Sequence, residues 1–147
     1  MQYEEIEAYF KDDTKLEEFL SLHSESFKMI EEVKASFQDG SIDSPDAIND
    51  AMIKLTGAFM SISFTSEIIK SIVESKENTL YNQAMLKEDP MLAKVNTTTL
   101  KRDIMEKTKN FRRVNSIFKA YVHSCDKALY SCQSSLKSLK REKFLTR

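Results

Sequence analysis

The sequence predicts an all-α protein: an elongated, coiled-coil-like antiparallel bundle of three long helices, with a short fourth helix at the N-terminus. Three observations predict it. Glycine and proline occur only twice each in 147 residues, too few for the turns of a β-sandwich or barrel. Apolar residues recur in steps of three and four over long stretches. A hydrophobic content of 41% with 31% charged residues fits amphipathic helices and not a disordered chain. The length suits one domain, residues 1–147, with acidic helices over 1–89 and a basic C-terminal helix over 97–144.

The elements follow from their end signals. Asp12-Asp13-Thr14 is a weak break, where Asp13 or Thr14 would cap a helix starting near Lys15. That first long segment offers Leu16, Phe19, Leu20, Phe27, Ile30, Val33 and Phe37 as its apolar face. His23, between Leu20 and Phe27, is expected to be a partly buried packing residue. The segment ends at Asp39-Gly40, because Gly40 can adopt the left-handed conformation that closes a helix. Ser44-Pro45-Asp46 restarts it with an N-cap, a proline at the first helical position and an acid near the positive helix end.

In the second long segment Ile48, Met52, Leu55, Phe59, Ile62, Ile69 and Val73 form one stripe, with Ser66 in the missing place. Ile53, Met60, Phe64, Ile68 and Ile72 form another beside it. A helix this widely apolar is expected to be central and covered on two sides. Glu88-Asp89-Pro90 through Thr98 is the next break, because Pro90 disfavours helix at Asp89 and Asn96 to Thr99 offer capping oxygens. The third segment carries Leu100, Ile104, Phe111, Val114, Phe118, Tyr121, Cys125, Leu129, Cys132, Leu136 and Leu139, interrupted by Lys107. Heptad-like spacing sustained this far predicts contact with another copy, hence a homo-oligomer.

Charge is split along the chain. Residues 1–91 hold 19 acidic and 8 basic side chains, whereas residues 92–147 hold 4 acidic and 14 basic ones. Such a split predicts that the basic part meets something anionic, either a nucleic acid or an acidic protein surface. Arg102, Lys109, Arg113, Lys127, Lys137 and Arg141 fall, with His123, on one line of threes and fours. Lys101, Arg112, Lys119 and Lys140 widen it. These ten cations are the candidate nucleic-acid-binding residues, since each neutralised phosphate releases a counterion. Phe111, Phe118, Tyr121, Tyr130 and Phe144 lie on the same segment, and any that is exposed could stack on unpaired bases. The alternative is a structural or adaptor protein that binds another protein, its acidic and basic segments attracting each other within or between subunits.

Catalysis is not expected. The only glycines, Gly40 and Gly57, make no phosphate loop, and His23 and His123 have no metal-ligand spacing. Cys125 and Cys132 lie two helical turns apart, too far to pair inside one helix. They are expected to be reduced and structural, with no cofactor or metal implied. The N-terminus lacks a basic and apolar leader. The most apolar run, around residues 58–64, is far shorter than the ~20 residues of a membrane span. An intracellular, cytoplasmic protein with no membrane partner is therefore expected (host cytoplasm if viral).

The stretch Met91-Leu92-Ala93-Lys94-Val95-Asn96-Thr97-Thr98-Thr99-Leu100 resembles the segment before the last helix of UvsY-type phage recombination mediators. The run from Lys127-Ala128-Leu129-Tyr130 to Lys140-Arg141-Glu142-Lys143-Phe144 resembles their C-terminal helix. That family is small, helical and oligomeric, and it binds single-stranded DNA to help load a recombinase. The resemblance therefore implies a recombination or replication accessory and single-stranded DNA as a partner. The first 90 residues depart from it, lacking the family's basic character and aromatic-rich middle.

Overall fold

The computed structural model describes residues 1–87 and 97–145, the side chains of Lys87, Phe144 and Leu145 excepted. Among these residues the secondary structure is helical throughout. It comprises α1 (Tyr3–Tyr9), a 3₁₀ turn (Asp13–Lys15), α2 (Leu16–Leu22), α3 (Ser24–Gln38), α4 (Pro45–Lys87), α5 (Thr97–Lys107) and α6 (Lys109–Leu145). No helix among them is long and apolar enough to cross a membrane. Of the break expected from Glu88 through Thr98, residues 88–96 lie outside the described residues, and Thr97 and Thr98 already belong to α5.

Local chemistry explains the ends. Gly40 has φ +79°, and Ser41 N–H donates to Ser36 O at 3.0 Å, so α3 closes with a left-handed residue and a 6→1 hydrogen bond. Ser44 Oγ accepts from Ala47 N–H at 3.2 Å, and Pro45 opens α4, as the sequence predicts. The first cap differs. Asp12, not Asp13 or Thr14, accepts from Thr14 N–H, because the turn that precedes α2 starts one residue earlier.

Two of the three expected long helices are divided. The first segment breaks at His23 into α2 and α3. The third breaks at Thr108 into α5 and α6, where Lys107 interrupts the apolar seam. Thr108 is 1% exposed, and its hydroxyl donates to Ile104 O at 2.8 Å, a back-bond of the kind that bends helices. The backbone bonds Thr108 N–H to Ile104 O and Arg112 N–H to Thr108 O persist, so the break is confined to one residue and is not a loop.

The chain forms two compact units. Met1–Leu20 with Thr65–Ile117 make the first, and Ser21–Phe64 with Phe118–Arg147 make the second. In the first unit α1, the 3₁₀ turn and the start of α2 bury Ile6, Phe10, Leu16 and Phe19. The latter half of α4 buries Ile68, Ile69, Ile72 and Val73, and α5 with the start of α6 buries Ile104, Phe111 and Val114. Phe10 is central: its ring lies 5.4 Å from Phe19, edge-on, and 5.8 Å from Phe111.

The second unit packs α3, the first half of α4 and most of α6. His23 and Phe27 meet Phe118 edge-on at 5.1 Å each, and Phe27 stacks on Tyr121 at 4.1 Å. Tyr121 also donates its hydroxyl to Glu31. These contacts advance together along α3 and α6, so the two run in the same direction. The Gly40 turn folds α4 back along α3, bringing Ser26 Oγ to 3.4 Å from Ser61 Oγ, so α4 runs against both. Ile30, Val33, Ile48, Leu55, Ile62, Cys125 and Cys132 complete this core. His23 is buried, as the sequence suggests, and burial holds its imidazole below the ordinary range.

One expectation fails in part. Ile68 and Ile72 of the second stripe are buried, in the first unit. Ile53, Met60 and Phe64, in the second unit, are 71%, 71% and 63% exposed. Thus α4 is covered on two sides only after residue 64; before it, a three-helix layer leaves the second stripe open.

Both cysteines are unpaired buried thiols, and Cys125 Sγ lies 3.2 Å from Leu55 O. Burial pushes the Cys125 thiol up to about 11 and raises Cys132 as well. The hydrogen bond to Glu31, with burial behind it, pushes Tyr121 up to about 12. All three folded values lie above the unfolded ones, so the folded state favours the protonated groups. Their contribution to stability is whole below pH 9 and is lost as pH rises towards 12. The melting temperature is therefore expected to fall across that window, and less steeply in a Tyr121→Phe, Cys125→Ala, Cys132→Ala variant. At pH 8 iodoacetamide should label neither cysteine until denaturant is added; rapid labelling of the folded protein would contradict the packing.

Candidate nucleic-acid interface

The ten candidate cations separate into two groups. Lys101 and Arg102 lie exposed on α5; Lys109, Arg112 and Arg113 open α6. All five belong to the first unit. The last three are occupied. Lys109 Nζ lies 2.7 Å from Glu106 Oε1, which raises the affinity of the ammonium for its proton. Arg112 Nε donates to Glu77 Oε1 at 2.5 Å, and Arg113 donates to Glu17. Asn110 adds a bond to Asp13 at 3.0 Å. The first turns of α6 are thus stitched to the acidic N-terminal helices and α4. Three of the sequence's best phosphate ligands already have carboxylate partners.

Lys119, Lys127, Lys137, Lys140 and Arg141 form the second group, on the part of α6 that belongs to the second unit. All five are exposed, and none makes an ion pair among the described residues. At ~100° per residue, Lys119, His123, Lys127, Tyr130, Lys137 and Arg141 share an arc of about 80°, opposite the buried Phe118, Cys125 and Cys132. Lys140 lies to one side of the arc, and Asp126 is the acid at its edge. From Lys119 to Arg141 this face runs roughly 33 Å at ~1.5 Å per residue.

The aromatics divide equally sharply. Phe111 and Phe118 are core, and Tyr121 is engaged with Phe27 and Glu31. Tyr130 is 73% exposed in the middle of the basic face. Phe144 lies outside the described side chains. The sequence pattern therefore places too many residues in one surface. It gives no sign of Glu17 and Glu77, whose proximity to Arg113 and Arg112 depends on pairings across 96 and 35 residues. No local pattern announces such a pair.

The charge split also dissolves on folding. The stretches that make the first unit hold 14 acidic and 12 basic residues, a net of −2. Those of the second hold 9 and 10, a net of +1. Each unit joins a piece of the acidic part to a piece of the basic one. Among the described residues no three His, Cys, Asp or Glu side chains gather as metal ligands. No family model, curated protein or solved structure matches the chain.

A double-mutant cycle separates the two groups. Glu77→Gln and Arg112→Gln should couple by up to ~1 kcal/mol in unfolding free energy, the range for partly exposed pairs. Lys127→Gln with Lys137→Gln should change stability by less than about 0.5 kcal/mol, because neither makes an ion pair among the described residues. A loss of stability in the lysine pair as large as that of Arg112→Gln would show that the outer face is also paired.

Proposed function

We propose that this chain is a non-catalytic, self-associating helical protein that binds nucleic acid through phosphate contacts along the outer face of α6. The observation that supports the reading most is the contrast within one helix. Arg112 and Arg113 are tied to Glu77 and Glu17, whereas Lys119, Lys127, Lys137, Lys140 and Arg141 are left facing solvent around an exposed Tyr130. Exposed cations in a row suit a phosphate backbone, and an exposed ring among them suits unpaired bases. Single strands are therefore the favoured partner. The resemblance of residues 91–100 and 127–144 to UvsY-type mediators points the same way, to a recombination or replication accessory. Two buried, unpaired thiols suit a reducing, intracellular setting.

The partner copy would cover the open stripe of α4. Ile53, Gly57, Met60 and Phe64 follow steps of four, three and four, the spacing of a helix seam. A Cβ at Gly57 would meet nothing within 4 Å, so the backbone there is open to close approach. Between Ala51 and Ser66 the only charged residue is Lys54, in a chain that is 31% charged. Charge depletion with exposed Met and Phe marks an interface core. A patch of a few hundred Å² per copy, doubled by a two-fold axis, approaches the ~1,200 Å² of small specific interfaces. A second copy of the same stripe is thus the occupant proposed.

A structural or adaptor role without nucleic acid is the second reading. It is favoured by the near-neutrality of each unit and by the use of Arg112 and Arg113 inside the fold.

Binding of a fluorescent oligothymidylate at low salt decides between them. The Lys127→Glu, Lys137→Glu, Arg141→Glu variant should bind at least tenfold more weakly. Its salt slope should be shallower by about 0.7 for each phosphate left without its cation. Tyr130→Ala should weaken single-strand binding roughly tenfold and duplex binding less. A wild-type protein with no affinity above background would leave only the second reading. Light scattering should give a mass above 17.0 kDa, falling to that of the monomer in Ile53→Asn, Phe64→Asn. A monomeric wild type at micromolar concentration would dismiss the seam.

A further inference from the structure

We infer that the first unit carries a second anion site, of a different kind: a cleft for a small amphipathic anion, an alkyl carboxylate or alkyl phosphate. The cleft has a volume of about 460 Å³, within the size of small-molecule sites. Its floor is apolar, built by Ile72 and Leu80 of α4 and by Phe111 at the start of α6. Lys11, Lys76 and Lys107 line it from three separate elements, the end of the α1 region, α4 and α5.

The electrostatics of these lysines are unusual for their surroundings. Residues 1–20 alone hold seven carboxylates, yet only Glu7 lines the cleft. None of the three lysines makes an ion pair among the described residues, although Lys109, Arg112 and Arg113 nearby in sequence all do. Lys76 instead holds its ammonium 4.9 Å from the centre of the Phe111 ring, above the apolar floor. Three cations against one carboxylate, over a low-dielectric surface, focus a positive potential into a concave space. Hydroxyls of Ser75 and Thr79 also line the cleft and can donate to an anionic head.

Each part selects a part of the ligand. The ammonium groups take a compact negative head. Ile72, Leu80 and the edge of Phe111 take a short apolar body, whose burial adds affinity in proportion to its methylene groups. One face of Phe111 lies under Lys76, so the floor offers aliphatic contact more than a free platform for a flat ring. This favours an aliphatic anion over a nucleotide. The site stands independently of the outer face of α6.

Calorimetry on the full chain tests it, with decanoate and decyl phosphate as probes and decanol and decyltrimethylammonium as controls. Saturable binding of either anion is expected, roughly tenfold or more tighter than decanol, with no binding of the cation. Comparing the two anions identifies the preferred head. The Lys11→Gln, Lys76→Gln, Lys107→Gln variant should lose that preference and bind decanoate and decanol alike. Leu80→Glu, at the half-exposed floor, should abolish decanoate binding at unchanged melting temperature. Decanol binding as tightly as decanoate in the wild type, a preference for anions that survives the triple substitution, tighter binding of a mononucleotide than of either alkyl anion, or no saturable binding of any probe at millimolar concentration would each overturn the inference.

Discussion

The apolar seam of α6 is the constraint on which the other features depend. Phe111, Val114, Phe118, Cys125 and Cys132 are all buried, and their partners come from every major part of the chain. Phe10 reaches Phe111, His23 and Phe27 reach Phe118, and Leu55 O meets Cys125. Burying a large side chain of this kind contributes about 1.5–3 kcal/mol, against at most ~1 kcal/mol for an exposed ion pair. The seam therefore sets the rotation of α6 about its axis, and the ion pairs follow. Where the acidic helices flank that seam, Arg112 and Arg113 find carboxylates; where α3 and α4 flank it, the opposite face is left to Lys119, Lys127, Lys137 and Arg141.

Charge is thus used in two ways on one helix. Over its first turns opposite charges close distances between segments remote in sequence, and each unit ends near neutrality. Beyond Phe118, Lys119, Lys127, Lys137, Lys140 and Arg141 make no ion pair among the described residues. Ordering several like charges along one face costs self-repulsion, which an anionic partner relieves. The same logic applies on a smaller scale to Lys11, Lys76 and Lys107.

Much of the architecture is legible in the sequence because it is governed by local chemistry. Gly40, Ser44 and Pro45 mark a turn and a helix start through their own backbone and side-chain preferences. The buried seams follow the helical period. The breaks at His23 and Thr108 are less visible, because each interrupts an otherwise acceptable helical pattern at a single residue, at Thr108 beside a hydroxyl bond to Ile104 O. The candidate site is legible only in part. Exposure of Tyr130 and burial of Phe111 and Phe118 could be argued from the seam. The capture of Arg113 by Glu17 could not, since it depends on how helices pack. Likewise Ile53, Met60 and Phe64 read as core by period alone, yet among the described residues no element covers them.

The way the two units share the chain has a consequence for its synthesis. Neither is a contiguous stretch: the first needs residues 65–117 to complete what residues 1–20 begin, and the second waits for residues 118–147. The bonds from Asp13 to Asn110, Glu17 to Arg113, Glu31 to Tyr121 and Leu55 to Cys125 span 97, 96, 90 and 70 residues. Helical proteins usually fold fast because their contacts are local. Here individual helices can form as they leave the ribosome, but the cores close late. Until α6 emerges, the apolar faces of α2, α3 and α4 have no permanent cover, and the nascent chain carries the acidic half alone. Its surplus of negative charge then serves as a temporary solubiliser, keeping growing copies apart until the cations that will neutralise it have been made.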